Sequence, residues 1–158
     1  MYRYKIIFFS VFSFLLSGII AFGQNEHLYL LSNLESIPAD APELDAIQQL
    51  LSSEKDNFTI LINGDFVDKN GLGKTPEEDD LKKIDRLLTI VGDRGKVIFI
   101  PGDREWDNGG GRGLKKVKAL ERYLESKRGD GKIIFPQNGC LGPKVIDIGE
   151  SLRIVAIN

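Results

Sequence analysis

Three times in succession, an apolar run of strand length is followed by a polar or glycine-bearing loop and then by a stretch of helical period. His27 to Leu31 reads as the first strand, and Pro42 to Ser53 follows with Leu44, Ile47, Leu50 and Leu51 at helical spacing. Phe58 to Ile62, β-branched and aromatic, reads as a strand buried on both faces. After the loop Gly64 to Thr75 a helix opens at Thr75-Pro76-Glu77-Glu78, with Thr75 as cap, Pro76 in the first helical position and Glu78 closing a capping box. Leu81, Ile84, Leu87, Leu88 and Val91 form its buried stripe, and Gly92 ends it. Lys96 to Pro101 is the third strand, Gly102 to Gly113 its loop, and Leu114 to Ser126 the third helix, with Leu114, Val117, Leu120, Tyr123 and Leu124 on one face. Such an alternation predicts an α/β fold with a largely parallel sheet and helices on its faces, because parallel neighbours need crossover connections. Ligand chemistry is then expected at the strand carboxyl ends, where the loops opening at Ser32, Gly64 and Gly102 share one edge.

Beyond Gly129 the pattern changes to short strands, Lys132 to Phe135, Lys144 to Ile148 and Leu152 to Ile157. The last of these reads as a core strand heading for another strand-end loop, so residues 24–158 are expected to be the first part of a longer domain. A membrane-associated portion beyond them is compatible with that expectation. Oligomeric state is not readable from the pattern.

The start of the chain is of another kind. Arg3 and Lys5 precede the apolar run Ile6 to Phe22, which exits through the small residues Ala21 and Gly23 into polar Gln24-Asn25-Glu26. This is the form of a signal peptide over residues 1–23, cleaved after Gly23, and implies export to the periplasm, cell envelope or medium. A retained anchor is the competing reading, since the run approaches bilayer-spanning length. Loss of the leader takes two of the 21 basic residues and none of the 23 acidic ones, leaving the remainder at −4. Nucleic-acid binding, which needs clustered positive charge, is excluded on that ground. Cys140 is the single cysteine, so no internal disulfide can form.

The stretch most suggestive of chemistry is Asn63-Gly64-Asp65-Phe66-Val67-Asp68, directly after the buried strand. A carboxylate at a strand tip is aimed by rigid backbone, and Gly64 lets the chain turn without a side chain in the way. Pro101-Gly102-Asp103-Arg104-Glu105-Trp106 repeats the design after the third strand. Two such loops side by side would bring Asp65 and Asp103 toward one point, as in sites where two metals roughly 3.5–4 Å apart hydrolyse phosphate esters.

At these residues the chain resembles the calcineurin-like metallophosphoesterases, a family that includes the purple acid phosphatases. Gly64-Asp65-Phe66-Val67-Asp68 matches that family's Gly-Asp-x-x-Asp motif, and Pro101-Gly102-Asp103-Arg104-Glu105-Trp106 stands where its Gly-Asn-His-Asp/Glu motif falls. The resemblance runs from Leu28 to Asn158 and implies a sandwich of two sheets flanked by helices, of which this would be the N-terminal half. It implies a metal-dependent phosphoesterase acting on a small phosphorylated substrate, with two divalent ions among manganese, iron, magnesium and zinc. By position, Asp65 would be the bridging ligand and Asp103 would replace the family's Asn. Ser32-Asn33-Leu34-Glu35 puts Asn33 and Glu35 where the family has Asp and His. Arg104 stands in place of the catalytic histidine; it can stabilise phosphoryl oxygens but cannot pass a proton to the leaving group at neutral pH. Two readings follow: a divergent hydrolase with the oxygen-rich ligands Asn33, Glu35, Asp65 and Asp103, which favour manganese or magnesium, or a catalytically degenerate binding domain of the cell envelope. No residue is assigned to substrate binding.

Plainer readings accompany the other features. His27 reads as a surface histidine, Trp106 as a plug at a core edge or a stacking platform, Cys140 as a turn residue, and Lys115, Lys116, Lys118 and Arg122 as the solvated face of a helix. Asn108 to Gly113 reads as a flexible linker in preference to a loop over the site. Gly71-Leu72-Gly73-Lys74-Thr75 fails as a nucleotide-binding P-loop, because Asp68 occupies the position of its first glycine.

Overall fold

The computed structural model describes residues 26–68, 71–72, 77–129, 133–150 and 152–157. The leader and the proposed cap Thr75-Pro76 lie outside them. Strands β1 (Glu26–Leu31), β2 (Asn57–Asn63) and β3 (Gly95–Ile100) form a parallel sheet in the order β1-β2-β3. Helix α1 (Pro42–Ser52) connects the first two strands, and α2 (Glu78–Val91) the second and third. A 3-10 turn (Asp107–Gly109) and α3 (Gly113–Arg128) follow, then a second 3-10 turn (Gln137–Gly139) and an antiparallel hairpin of β4 (Lys144–Ile148) and β5 (Leu152–Ala156). The strand expected over Lys132 to Phe135 is reduced to a bridge, in which Ile134 pairs with Phe99 on the open side of β3.

Side-chain alternation sorts the layers. Phe58, Ile60, Ile62, Val97 and Phe99 face one way and pack with Leu44 and Leu51 of α1, Ile84, Leu87 and Val91 of α2, and Val117, Leu120 and Leu124 of α3. Leu61, Ile98 and Ile100 face the other way and meet Ile146, Ile148 and Ala156 of the hairpin. Both faces of β2 are therefore covered, as its unbroken apolar run requires. Helices on both faces were expected; instead all three pack in one layer and the hairpin takes the opposite one. The hairpin leaves β1 uncovered, with Leu30 64% exposed. Nor is β5 a core strand: it pairs with β4 and exposes Val155 and Leu152. Among the described residues no helix is long and apolar enough to cross a membrane.

Helix α2 begins at Glu78 with Glu77 as its N-cap and no side-chain cap bond, later than the capping-box pattern implies. Its first turn has other work. The Asp79 carboxylate accepts the Ala39 N–H, and the Asp80 carboxylate accepts the Asp68 N–H at 3.0 Å. Lys83, 1% exposed, donates its ammonium to the Leu34 carbonyl at 2.9 Å and lies 3.4 Å from Asp80. Burial pushes the Asp80 carboxyl above its ordinary value, against the pull of the Asp68 amide and the Lys83 charge. One buried ion pair on α2 thus holds the loops that follow both β1 and β2.

Lys83→Met preserves the packed stem and strands the Asp80 charge. Urea unfolding of this variant is expected to show a loss of about 3–5 kcal/mol, the cost of breaking a buried pair from one side.

Candidate functional site at the carboxyl edge of the sheet

Gly64 and Gly102, the first residues of two neighbouring loops or next to them, cross backbone to backbone. The Gly64 N–H donates to the Ile100 carbonyl at 2.8 Å. A Cβ added to Gly102 would lie 2.7 Å from the Gly64 Cα and 2.7 Å from Asp65 Oδ1. Only glycine allows that approach, which brings the loop carrying Asp65 against the loop carrying Asp103.

Glu105 locks the crossing. Its carboxylate is 1% exposed and accepts four backbone N–H groups: Phe66 and Val67 on Oε1 at 3.0 and 3.1 Å, Asp65 and Gly102 on Oε2 at 3.0 and 2.7 Å. Burial raises its carboxyl above the ordinary value, while the amides of Gly102, Val67, Phe66 and Asp65 oppose the rise. Asp65 returns a tie to the third loop, its Oδ1 accepting the Arg104 N–H at 3.0 Å. Its carbonyl accepts the Glu35 N–H at 2.9 Å, which joins the first loop to the second. Asn33 and Asp65 both take left-handed backbone conformations, with φ of 55° and 51°, which Asn and Asp tolerate better than other side-chain-bearing residues.

The structure thus brings the three loops together through Glu35, Asp65 and Arg104. Asp103 and Asn33 lie exposed on the same edge, while Glu35, Asp65 and Arg104 are half-buried. The carboxylates of Glu35, Asp65 and Asp103 do not form a trio with ligand atoms within 4.8 Å of one another. Two buried polar atoms have no hydrogen-bond partner, Glu35 Oε2 and Trp106 Nε1. Both belong to these loops, and a buried carboxylate oxygen without a donor fits a residue that meets a cation.

Two surrounding features, Lys116 and the segment after Asp107, differ from the sequence reading, and two, Trp106 and Cys140, agree with it. Lys116 is buried rather than solvated, and its ammonium pairs with Asp107, which also holds Arg112 at 3.3 Å. That pairing fixes the segment expected to be a flexible linker: Gly110 donates to the Asp107 carbonyl, and Gly113 has no room for a Cβ against the Trp106 carbonyl. Trp106 packs against the main core, as a plug does. Cys140 is exposed and stands in a turn, its sulfur accepting the Gly142 N–H at 3.4 Å.

Glu105 and Lys83 are the residues that sequence reasoning left without a role. Lys83 was discoverable, since Asp80 and Lys83 continue the Ile84, Leu87, Val91 stripe at helical spacing and so fall on the buried face. Comparison with family models, with curated proteins and with solved structures finds no match.

Glu105→Gln leaves the volume unchanged but turns an amide N–H2 toward two backbone donors. The variant is expected to lose about 2–5 kcal/mol in denaturant unfolding, because two buried N–H groups lose their acceptor. A pH dependence follows from Asp107, whose carboxyl the Lys116 ammonium holds below its ordinary 3.8. Stability from that pair is present above the unfolded carboxyl value and is lost as pH falls through the lower folded value. The deficit of Lys116→Met against wild type should therefore be largest near pH 7 and shrink on acidification, read from unfolding midpoints along a pH series.

Proposed function

We propose that the carboxyl edge of the sheet is a metal-dependent phosphoesterase site, in an exported protein whose substrate is a small phosphorylated molecule. The observation that carries the reading is the Glu105 clamp. It is a buried carboxylate spent on joining the Asp65 loop to the Asp103 loop, a cost that makes sense where two acidic loops must be held in register. The resemblance of Gly64 to Asp68 and of Gly102 to Glu105 to metallophosphoesterase motifs supplies the reaction class.

In this reading Asp65, Glu35, Asp103 and Asn33 would hold divalent cations, which polarise the phosphoryl group and supply hydroxide near neutral pH. Asp65 is half-buried and fixed by the Arg104 amide, so its carboxylate presents a defined direction to a cation. Arg104, half-buried beside Asp65, would neutralise phosphoryl oxygens, since a guanidinium does not give up its proton at neutral pH. Proton delivery to the leaving group then falls to water or to the substrate itself.

A second reading, phosphate binding without hydrolysis, is favoured by one specific observation: the three carboxylates stand too far apart to share an ion as they are placed. The two separate in one assay. Hydrolysis of a generic aryl phosphate ester with added manganese is measured for the protein and for Asp65→Ala. The hydrolase predicts turnover that depends on manganese and falls at least about 100-fold in the variant. Absence of turnover, with inorganic phosphate still raising the unfolding midpoint, would leave the binding domain.

A further inference from the structure

At the opposite, amino-terminal edge of the sheet stands a second group of potential ligands. His27 is the second residue of β1, and Glu54 and Asp56 lie in the turn between α1 and β2. His27 Nδ1 is 2.8 Å from Glu54 Oε2, and His27 Nε2 is 3.9 Å from Asp56 Oδ2. One ligand atom from each of the three residues lies within 4.8 Å of the others, the one such group of three among the described residues.

Strand pairing and Tyr29 position the cluster, in which the Glu54 side chain is the most buried and those of His27 and Asp56 are more exposed. Parallel pairing of His27 with Phe58 and of Glu26 with Asn57 sets the imidazole beside the turn that carries both acids. Glu54 is only 12% exposed, and the Tyr29 hydroxyl donates to the same oxygen that faces His27. The Tyr29 ring is itself held edge-on against Phe58, 6.3 Å away. Tyr29 thus orients the Glu54 carboxylate from behind, and an ion bound by all three residues would take the place of the His27–Glu54 hydrogen bond. Two carboxylates and a neutral imidazole carry a charge that a dication cancels, and a mixed nitrogen and oxygen donor set suits zinc or a neighbouring borderline metal better than calcium or magnesium.

We propose that His27, Glu54 and Asp56 form a structural site for a borderline divalent cation such as zinc, with water completing the shell. An ion there would tie the start of β1 to the entry of β2, across the first helical crossover. No disulfide can do that in a chain with one cysteine. The site is separate from the carboxyl edge and does not rest on the phosphoesterase reading.

His27 is the only histidine, so its imidazole resonances report on this site without assignment ambiguity. Zinc is titrated into the whole 15N-labelled protein, followed by imidazole NMR and by the unfolding midpoint. Expected are a saturable shift of the imidazole signals and a zinc-dependent rise in the midpoint that is smaller in Asp56→Asn than in the unaltered protein. Asp56→Asn, a near-isosteric change at a side chain 50% exposed, should weaken the apparent affinity at least about tenfold. Asp65→Ala should leave it unchanged, which separates this site from the other edge. Imidazole signals that do not move, or that move equally in Asp56→Asn, overturn the proposal, the second result meaning that a lone surface histidine binds zinc.

Discussion

A single buried carboxylate decides how the loops of this protein meet. Four peptide N–H groups from two loops point at Glu105, and none of them has a strand partner to turn to. Parallel strands end side by side, but nothing in sheet pairing controls where the chain goes after the last ladder bond. The loops after β2 and β3 would otherwise carry orphaned donors into a region closed to water, and buried donors without acceptors are costly. Glu105 solves both problems with one group. Desolvation raises its carboxyl, and the four donors are what make ionisation there tolerable.

The clamp works because glycine stands on both sides of it. Gly64 and Gly102 let two backbones approach to a distance that any side chain would prevent, and the left-handed turn at Asp65 then swings its carboxylate back over the crossing to the Arg104 amide. Helix α2 performs the same service from beneath. Its Asp80 accepts the amide N–H of Asp68, and its Lys83 donates to the carbonyl of Leu34, which the Ile37 N–H also meets. Two buried acids and one buried base therefore replace the hydrogen bonds that irregular loops cannot make for themselves. The side chains of Asp103 and Asn33, both exposed, take no part in these contacts.

The elements of the fold were legible in the sequence because each follows from local period. Phe58 to Ile62 could only be a doubly covered strand, and Leu44, Leu87 and Leu120 lie where helical spacing puts them. The layering was less legible, since apolar alternation says that a strand has two buried faces without saying what covers each. Hence the helices share one face and the hairpin takes the other. Polar residues at buried positions were the hardest to read. Lys116 looked like one of several solvated lysines, and only the tertiary approach of Asp107 and Gly71 marks it out. Glu105 was visible as part of a motif, yet its role depends on amides nearly forty residues away in sequence.

The two edges of the sheet show the difference between a charge used by the fold and a charge available to a ligand. Glu105 has all its acceptor capacity turned inward, so it can neither bind a cation nor move a proton without releasing the loops. Glu35 is the converse: one buried oxygen has no donor, which the fold gains nothing from and which a cation would satisfy. At the amino edge, Glu54 is shared between Tyr29 and His27 on one oxygen and the Lys55 N–H on the other, so its carboxylate is positioned from several sides. Where acids are positioned by groups behind them and left open in front, the energetic cost of assembling like charges has been met by the fold itself. His27, Glu54 and Asp56, with one ligand atom from each within 4.8 Å of the others, come nearer to that condition than Glu35, Asp65 and Asp103, which form no such trio.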